Sequence, residues 1–276
     1  MYTAPAAKAD KPIKKIRAHH LAQFKSEGRP ITMLTAYDAL FAKIFDDAGT
    51  DMLLVGDSYA NVMLGFPSTV SATLADMIRA TSAVSRGASR AFIVGDLPFG
   101  SYEESPEQAI RSAVGLIRAG AHAVKLEGGV RQAHTIKALV AAGINVVAHI
   151  GYTPQSENQL GGPRVQGRGD AAAQIMADAV AVQEAGALAV VLEMVPNPIA
   201  TEISQQLNIP TIGIGAGNGC DGQVLVWSDM VGMTDWQPKF VKRFAEAGAL
   251  IKSAVAEFNE EVRNRNFPGK EHSFEQ

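Results

Sequence analysis

From Ile31 onward, short runs of β-branched and aliphatic residues alternate with longer Ala-rich stretches in which apolar residues recur every three or four positions. The first pattern belongs to buried strands and the second to amphipathic helices. The runs predict strands over Ile31 to Tyr37, Met52 to Val55, Ala91 to Val94, Ala123 to Leu126, Val146 to Ile150, Ala189 to Met194, Thr211 to Ile214 and Gln223 to Trp227. Helices are predicted between them over Leu40 to Ala48, Leu74 to Ser85, Pro106 to Ala119, Gln132 to Ala142, Ala171 to Ala185 and Ile199 to Leu207. Gly49, Gly87, Gly120, Gly143 and Gly186 stand at helix ends, where glycine closes a helix in the left-handed conformation before a tight turn. Gly215 to Gly222 leaves no room for a helix before the last strand. Beyond it, Phe240, Phe244, Ala247, Ile251, Val255, Phe258 and Val262 predict one long amphipathic helix, which closes the outer wall or serves in part as a subunit contact.

Parts of this alternation repeat literally. Ala119-Gly120-Ala121-His122-Ala123-Val124-Lys125-Leu126-Glu127 reads onto Ala185-Gly186-Ala187-Leu188-Ala189-Val190-Val191-Leu192-Glu193, and Val55-Gly56-Asp57 matches Val94-Gly95-Asp96. Repeated helix-to-strand units with acids at the strand ends predict a (β/α)8 TIM barrel, whose active sites form at the C-terminal ends of the strands. A doubly wound open sheet is the competing architecture. The expected organisation is a partly flexible arm over residues 1–28 and a single barrel domain, with its C-terminal helix, over residues 29–276.

Composition limits what such a barrel can do. At 47% hydrophobic and 19% charged residues, the chain can bury a large core and is neither disordered nor a coiled coil. A net charge of −3 provides no basic field for nucleic acid or an anionic membrane, and the Lys8, Lys11, Lys14 and Lys15 arm reads as a solvated tail. The lone Cys220 excludes an internal disulfide framework and suits a reducing compartment, so the cytoplasm is expected. No apolar run approaches the roughly 20 residues of a membrane span.

Side chains alternate along a strand, so the polar residues at the strand ends arrive at one rim. Asp57, Asp96, Lys125, Glu127, His149 and Glu193 together place four carboxyl groups, one ammonium and one imidazole there. Taken singly, each aspartate is as readily a helix cap and His149 a satisfied core residue; recurrence at so many strand ends favours a shared site. Carboxylates without cysteine suit Mg²⁺, which typically takes two carboxylates with substrate and water oxygens. Such a metal can chelate a 2-keto acid and acidify the adjacent carbon, so that a neighbouring glutamate removes a proton and leaves a metal-stabilised enolate. Other catalytic patterns are missing: there is no Gly-x-Ser-x-Gly, no His-Glu-x-x-His and no phosphate loop ending in Gly-Lys-Ser/Thr. Gly217 to Gly222 fits Gly-x-Gly-x-x-Gly but leads into a β-like run, so it reads as a tight loop with Cys220 as a bystander.

An ordered series of motifs adds a resemblance. Ile31-Thr32-Met33-Leu34-Thr35-Ala36-Tyr37-Asp38, Val55-Gly56-Asp57-Ser58, Val94-Gly95-Asp96-Leu97-Pro98-Phe99, Lys125-Leu126-Glu127-Gly128-Gly129, His149 through Ser156, Val165-Gln166-Gly167-Arg168, Gly213 through Gly217 and Asp221 through Val226 together resemble the ketopantoate hydroxymethyltransferase family. The resemblance implies a βα barrel, assembled as a homodecamer of two pentameric rings, that moves a hydroxymethyl group from 5,10-methylenetetrahydrofolate to 2-oxoisovalerate on the way to pantothenate and coenzyme A. It implies that Asp57 and Asp96 bind Mg²⁺, with Glu127 acting through water, and that Glu193 is the general base. It also implies that Ser58 holds the substrate carboxylate, that Lys125 stabilises charge on its oxygens, and that His149 lines the pocket. The chain departs from the family pattern at Tyr59-Ala60-Asn61, at Gly65 to Thr69 and at Ser228-Asp229. Two other readings remain open: another Mg²⁺-dependent carbon–carbon lyase or aldolase acting on a 2-keto acid, and a barrel that binds a ligand without turnover.

Overall fold

The computed structural model describes residues 14–274; the expected mobile stretch over the first dozen residues lies outside them. Eight strands form a closed parallel barrel in sequence order: β1 (Ile31–Thr35), β2 (Met52–Val55), β3 (Phe92–Asp96), β4 (Ala123–Glu127), β5 (Val146–Gly151), β6 (Ala189–Glu193), β7 (Thr211–Ile214) and β8 (Gly222–Leu225). All eight predicted strands are present. The join from β7 to β8 has no helix, as its length implied. The Ile31 amide donates to the Asp221 carbonyl at 2.9 Å, bringing the last strand back to the first. A Cβ on Gly222 would stand 2.5 Å from the Ile31 carbonyl oxygen, so only glycine lets the two strands approach this closely.

Helices α1 (Ala18–Ser26), α2 (Ala39–Asp47), α3 (Leu74–Gly87), α4 (Pro106–Arg118), α5 (Ala133–Ala141), α6 (Ala172–Glu184) and α7 (Asn197–Gln206) accompany the strands. Their starts are set by side chains that accept the unpaired first-turn amides. Asp38 accepts from the Phe41 amide, Thr73 and Asp76 form a reciprocal capping box, and Ser105 caps α4 ahead of Pro106.

One hydrophobic cluster fills the barrel with alternate residues of its strands, including Met33, Leu54, Phe92, Val94, Ala123, Val147, Ala189, Val191, Ile212 and Val224. Ile16, Leu21 and Phe24 join it. Part of the segment expected to be an arm is therefore structural: Leu21 and Phe24, three positions apart on α1, plug the barrel interior. The alternation rule missed this because a single short helix with two apolar anchors gives little periodic signal.

Contacts divide the chain into two compact units, one ending at Val224 and the other running from Leu225 to Gln276. In the second unit, α8 spans Ala247–Arg263, shorter than the helix predicted from Phe240. The Phe244 and Ala247 amides donate to the Met230 and Val231 carbonyls, so the helical ladder cannot extend back through them. No residue of α8 is buried; Leu250 is 73% exposed and Ile251, Val255, Phe258 and Val262 form an open apolar stripe. No helix among the described residues is long and apolar enough to cross a membrane.

Phe24→Ala is expected to destabilise the protein by about 3–5 kcal/mol in urea unfolding, the usual cost of emptying a buried aromatic position. An unchanged unfolding midpoint would mean that α1 is dispensable to the core.

Candidate active site

The strand alternation that fills the barrel also sets its rim. On β3 the interior residues Phe92 and Val94 lead to Asp96; on β4 Ala123 leads to Lys125 and Glu127; on β5 Val147 leads to His149; on β6 Ala189 and Val191 lead to Glu193. The register pairs Asp96 with Lys125 and Glu127 with His149. On β2 the interior residue is Leu54, rather than the Val55 that the Val55-Gly56-Asp57 repeat suggested, and Asp57 follows on the turn beyond the strand.

These residues form a continuous network. Lys125 Nζ donates to Asp96 Oδ1 and Oδ2 at 2.8 and 2.7 Å and lies 3.7 Å from Glu127 Oε1. The Asp57 amide donates to Asp96 Oδ2 at 3.0 Å. His149 bridges two acids, with Nδ1 3.3 Å from Glu127 Oε1 and Nε2 3.2 Å from Glu193 Oε2. Both contacts lie within ion-pair range, but neither has hydrogen-bond alignment, and Glu127 Oε1 and both ring nitrogens are otherwise unpartnered. Ser58, half-buried, shares a 2.8 Å hydrogen bond with the Tyr37 hydroxyl. The divergent Tyr59 places its ring 5.8 Å from that of Tyr37, so the departure from the family pattern sits against the partner of Ser58.

Glu193 is held through the main chain as well. The Tyr152 amide donates to the Glu193 carbonyl at 2.8 Å. A Cβ on Gly151, whose φ is +93°, would stand 2.3 Å from the same oxygen. Met194 adopts a left-handed φ of 49° and its carbonyl accepts from the Gln166 amide, which ties the loop after β5 to the end of β6.

Burial dominates the electrostatics. It raises the Asp57 carboxyl, which the Lys125 charge only partly offsets, and it lifts Asp96 to about 7 despite the same ammonium. Lys125 is pushed the other way by burial, but Asp96, Glu127 and Asp57 outweigh it and hold the ammonium charged. Glu127 is also penalised by burial, yet Lys125, His149 and the Gln155 amide bring it below the usual carboxylate range. Burial opposes a charge on His149, but Glu127 and Glu193 overcome it and raise the imidazole to about 9.

The alternation rule did not single out three residues. Gln155, on the turn after β5, donates through its amide nitrogen to Asp57 Oδ2 and to the Leu97 carbonyl, each at 3.0 Å, while its backbone amide donates to Glu127 Oε2 at 3.0 Å. Tyr102 donates its hydroxyl proton to Gln155 Oε1 at 2.6 Å, and Tyr37 holds Ser58. Gln155 stood within a motif string, but nothing in strand periodicity points a loop residue inward.

Among the described residues, no group of three or more His, Cys, Asp or Glu side chains converges as a metal cage. The donor set nonetheless fits a hard divalent cation. Four buried or half-buried carboxyl groups face one ammonium and one imidazolium, so the fully ionised set carries two excess negative charges. Asp57 and Asp96, both held toward the protonated form by burial, are the acids that a cation would best relieve. Mg²⁺ commonly takes only one or two protein carboxylates and draws its other oxygens from substrate and water.

Cys220 stays apart from this chemistry: burial raises its thiol, and the Gly217 to Gly222 loop runs straight into β8, without the helix that phosphate binding requires.

A sequence profile described as ketopantoate hydroxymethyltransferase matches residues 15–270. A 3-methyl-2-oxobutanoate hydroxymethyltransferase of Rhodococcus jostii (strain RHA1) is 57% identical over 96% of this chain and 92% of its own. One from Mycolicibacterium vanbaalenii is 56% identical over 98% and 97%. Solved structures with a similar fold include phosphonopyruvate hydrolase, with a TM-score of 0.62 and 14% identity over 94% of this chain and 92% of that one. A 2,3-dimethylmalate lyase of the PEP mutase/isocitrate lyase superfamily has a TM-score of 0.58 and 19% identity over 93% and 91%. At those identities the likeness concerns the fold alone.

The His149 bridge has a pH signature. Because folding raises this imidazole from 6.5 to about 9, its contribution is fully present below pH 6.5 and lost as pH rises through about 9. In EDTA, the stability gap between wild type and His149→Gln is expected to shrink by about 3 kcal/mol from about pH 6 to about pH 10. A gap that stays constant over that range would show an imidazole neutral throughout.

Proposed function

The chain belongs to the ketopantoate hydroxymethyltransferase family, and we propose that its rim residues divide between them the addition of a hydroxymethyl group to 3-methyl-2-oxobutanoate. It is an enzyme of pantothenate biosynthesis, and its product is ketopantoate. The observation that carries the proposed roles is the unbroken network from Asp57 through Asp96, Lys125, Glu127 and His149 to Glu193, which sets a carboxylate at one end and a cation-hungry acid pair at the other.

Asp57 and Asp96 would hold Mg²⁺, with Glu127 reaching it through water. When bound, the metal supplies positive charge to the keto and carboxylate oxygens of the substrate, which makes the hydrogen on C3 acidic. Ser58 binds the substrate carboxylate. The Lys125 ammonium faces the negative charge that grows on the keto oxygen, and its burial strengthens that attraction. Glu193 takes the C3 proton, and His149, between Glu193 and Glu127, fixes the base in place. C3 bonds to the one-carbon unit of 5,10-methylenetetrahydrofolate as both of that unit's C–N bonds break; water supplies the hydroxyl, and the proton taken by Glu193 together with one from that water passes to the two nitrogens of the departing tetrahydrofolate.

The exposed apolar stripe of α8 supports a homo-oligomer, for which the family resemblance suggests a decamer. The lone Cys220 supports a cytoplasmic location. The fold is shared with 2-keto-acid and lyase chemistry, but the family match favours hydroxymethyl transfer over that second reading.

Purified protein is expected to form ketopantoate only when Mg²⁺, 3-methyl-2-oxobutanoate and methylenetetrahydrofolate are all present. Glu193→Gln is expected to lower kcat on the order of 10²–10⁴-fold with little change in KM, since general-base removal acts on the chemical step. A Glu193→Gln enzyme of wild-type kcat would place the base elsewhere.

A further inference from the structure

The geometry points to Gln155 as a positioning residue that holds Asp57 ready for a divalent cation and ties that readiness to the loop after β5. This rests on the metal role proposed for Asp57. Gln155 is buried, and both ends of its side-chain amide are hydrogen-bonded. Its Oε1 accepts from the Tyr102 hydroxyl at 2.6 Å, and its Nε2 donates to the Leu97 carbonyl and to Asp57 Oδ2, each at 3.0 Å.

The surrounding groups decide which end of the amide is which. The Glu127 amide donates to the Tyr102 oxygen at 3.2 Å, and of the two acceptors within reach of the phenolic proton, Gln155 Oε1 at 2.6 Å is much nearer than the Glu127 carbonyl at 3.4 Å. A phenol keeps its proton at neutral pH. The Leu97 carbonyl can only accept. Both neighbours therefore require oxygen toward Tyr102 and nitrogen toward Asp57, and the side chain presents a fixed N–H to the carboxylate.

That N–H matters because it is the side-chain donor that the fold gives to the buried Asp57 carboxyl group. A donor on Oδ2 orients the carboxylate that a metal would use. Such outer contacts commonly change metal affinity 10–100-fold. The hydrogen bond to Glu127 comes from the Gln155 backbone, so a side-chain substitution leaves it in place and isolates the effect on Asp57. The Pro154–Ser156 turn that carries Gln155 thereby links loop order to the metal site.

The test is Mn²⁺ binding, followed by electron paramagnetic resonance titration of free metal, in wild type, Gln155→Leu, Gln155→Glu and Tyr102→Phe. Gln155→Leu is expected to raise the Mn²⁺ dissociation constant about 10–100-fold, and Tyr102→Phe less, because it frees the amide to rotate without removing it. Gln155→Glu, nearly identical in shape, is expected to bind no better than Gln155→Leu, since it sets a carboxylate against Asp57 and the Leu97 carbonyl. Thermal melts in EDTA report folding separately, and a variant that melts below wild type is compared at a temperature where both are folded. Unchanged Mn²⁺ affinity in folded Gln155→Leu, or wild-type affinity in Gln155→Glu, overturns the inference while leaving the metal role of Asp57 standing. A wild-type protein that binds no Mn²⁺, with or without 3-methyl-2-oxobutanoate, overturns both.

Discussion

The Lys125 ammonium is buried with Asp96 against it, Glu127 beside it and Asp57 behind Asp96. Removing such a charge from water costs several kcal/mol, and it persists only because the surrounding carboxylates return more. The same arithmetic runs the other way for the acids, which outnumber the cations near them. Burial lifts Asp57 and Asp96 while Lys125 and His149 remain charged, so the rim is stable as protein yet short of positive charge. On the proposed reading, a dication offsets the two excess negative charges of the fully ionised rim and gives an anionic 2-keto acid a cation to bind.

The barrel makes this imbalance tolerable. Parallel closure brings strand ends together, and the aliphatic alternation below them supplies the low dielectric that gives the rim its leverage. Glu193 is fixed at both ends: His149 meets its carboxylate, while the Tyr152 amide holds its carbonyl at a place where Gly151 leaves just enough space. Loops add the finer control, since Gln155 reaches Asp57 from a turn and Tyr37 reaches Ser58 from the chain after β1.

All eight strands could be read from the sequence, because fully buried parallel strands are nearly continuous apolar runs between turn glycines. The acids, Lys125 and His149 were legible for the same reason, as polar residues interrupting those runs at equivalent places. Gln155, Tyr102 and Tyr37 were not, since their inward direction is set by turns and tertiary packing. The plug formed by Leu21 and Phe24 escaped because two anchors do not make a period. The start of the C-terminal helix at Ala247 instead of Phe240 was set by amides captured by Met230 and Val231, a competition that apolar spacing does not record.

In the proposed mechanism, a divalent cation and Glu193 together labilise the C3 hydrogen before any one-carbon unit arrives. Deuterium exchange at C3 of 3-methyl-2-oxobutanoate in D₂O, followed by proton NMR without folate, tests this most directly. Exchange is expected with Mg²⁺, to stop in EDTA and to fall on the order of 10²–10⁴-fold in Glu193→Gln. Exchange that continues in EDTA, or that is undiminished in Glu193→Gln, would contradict it.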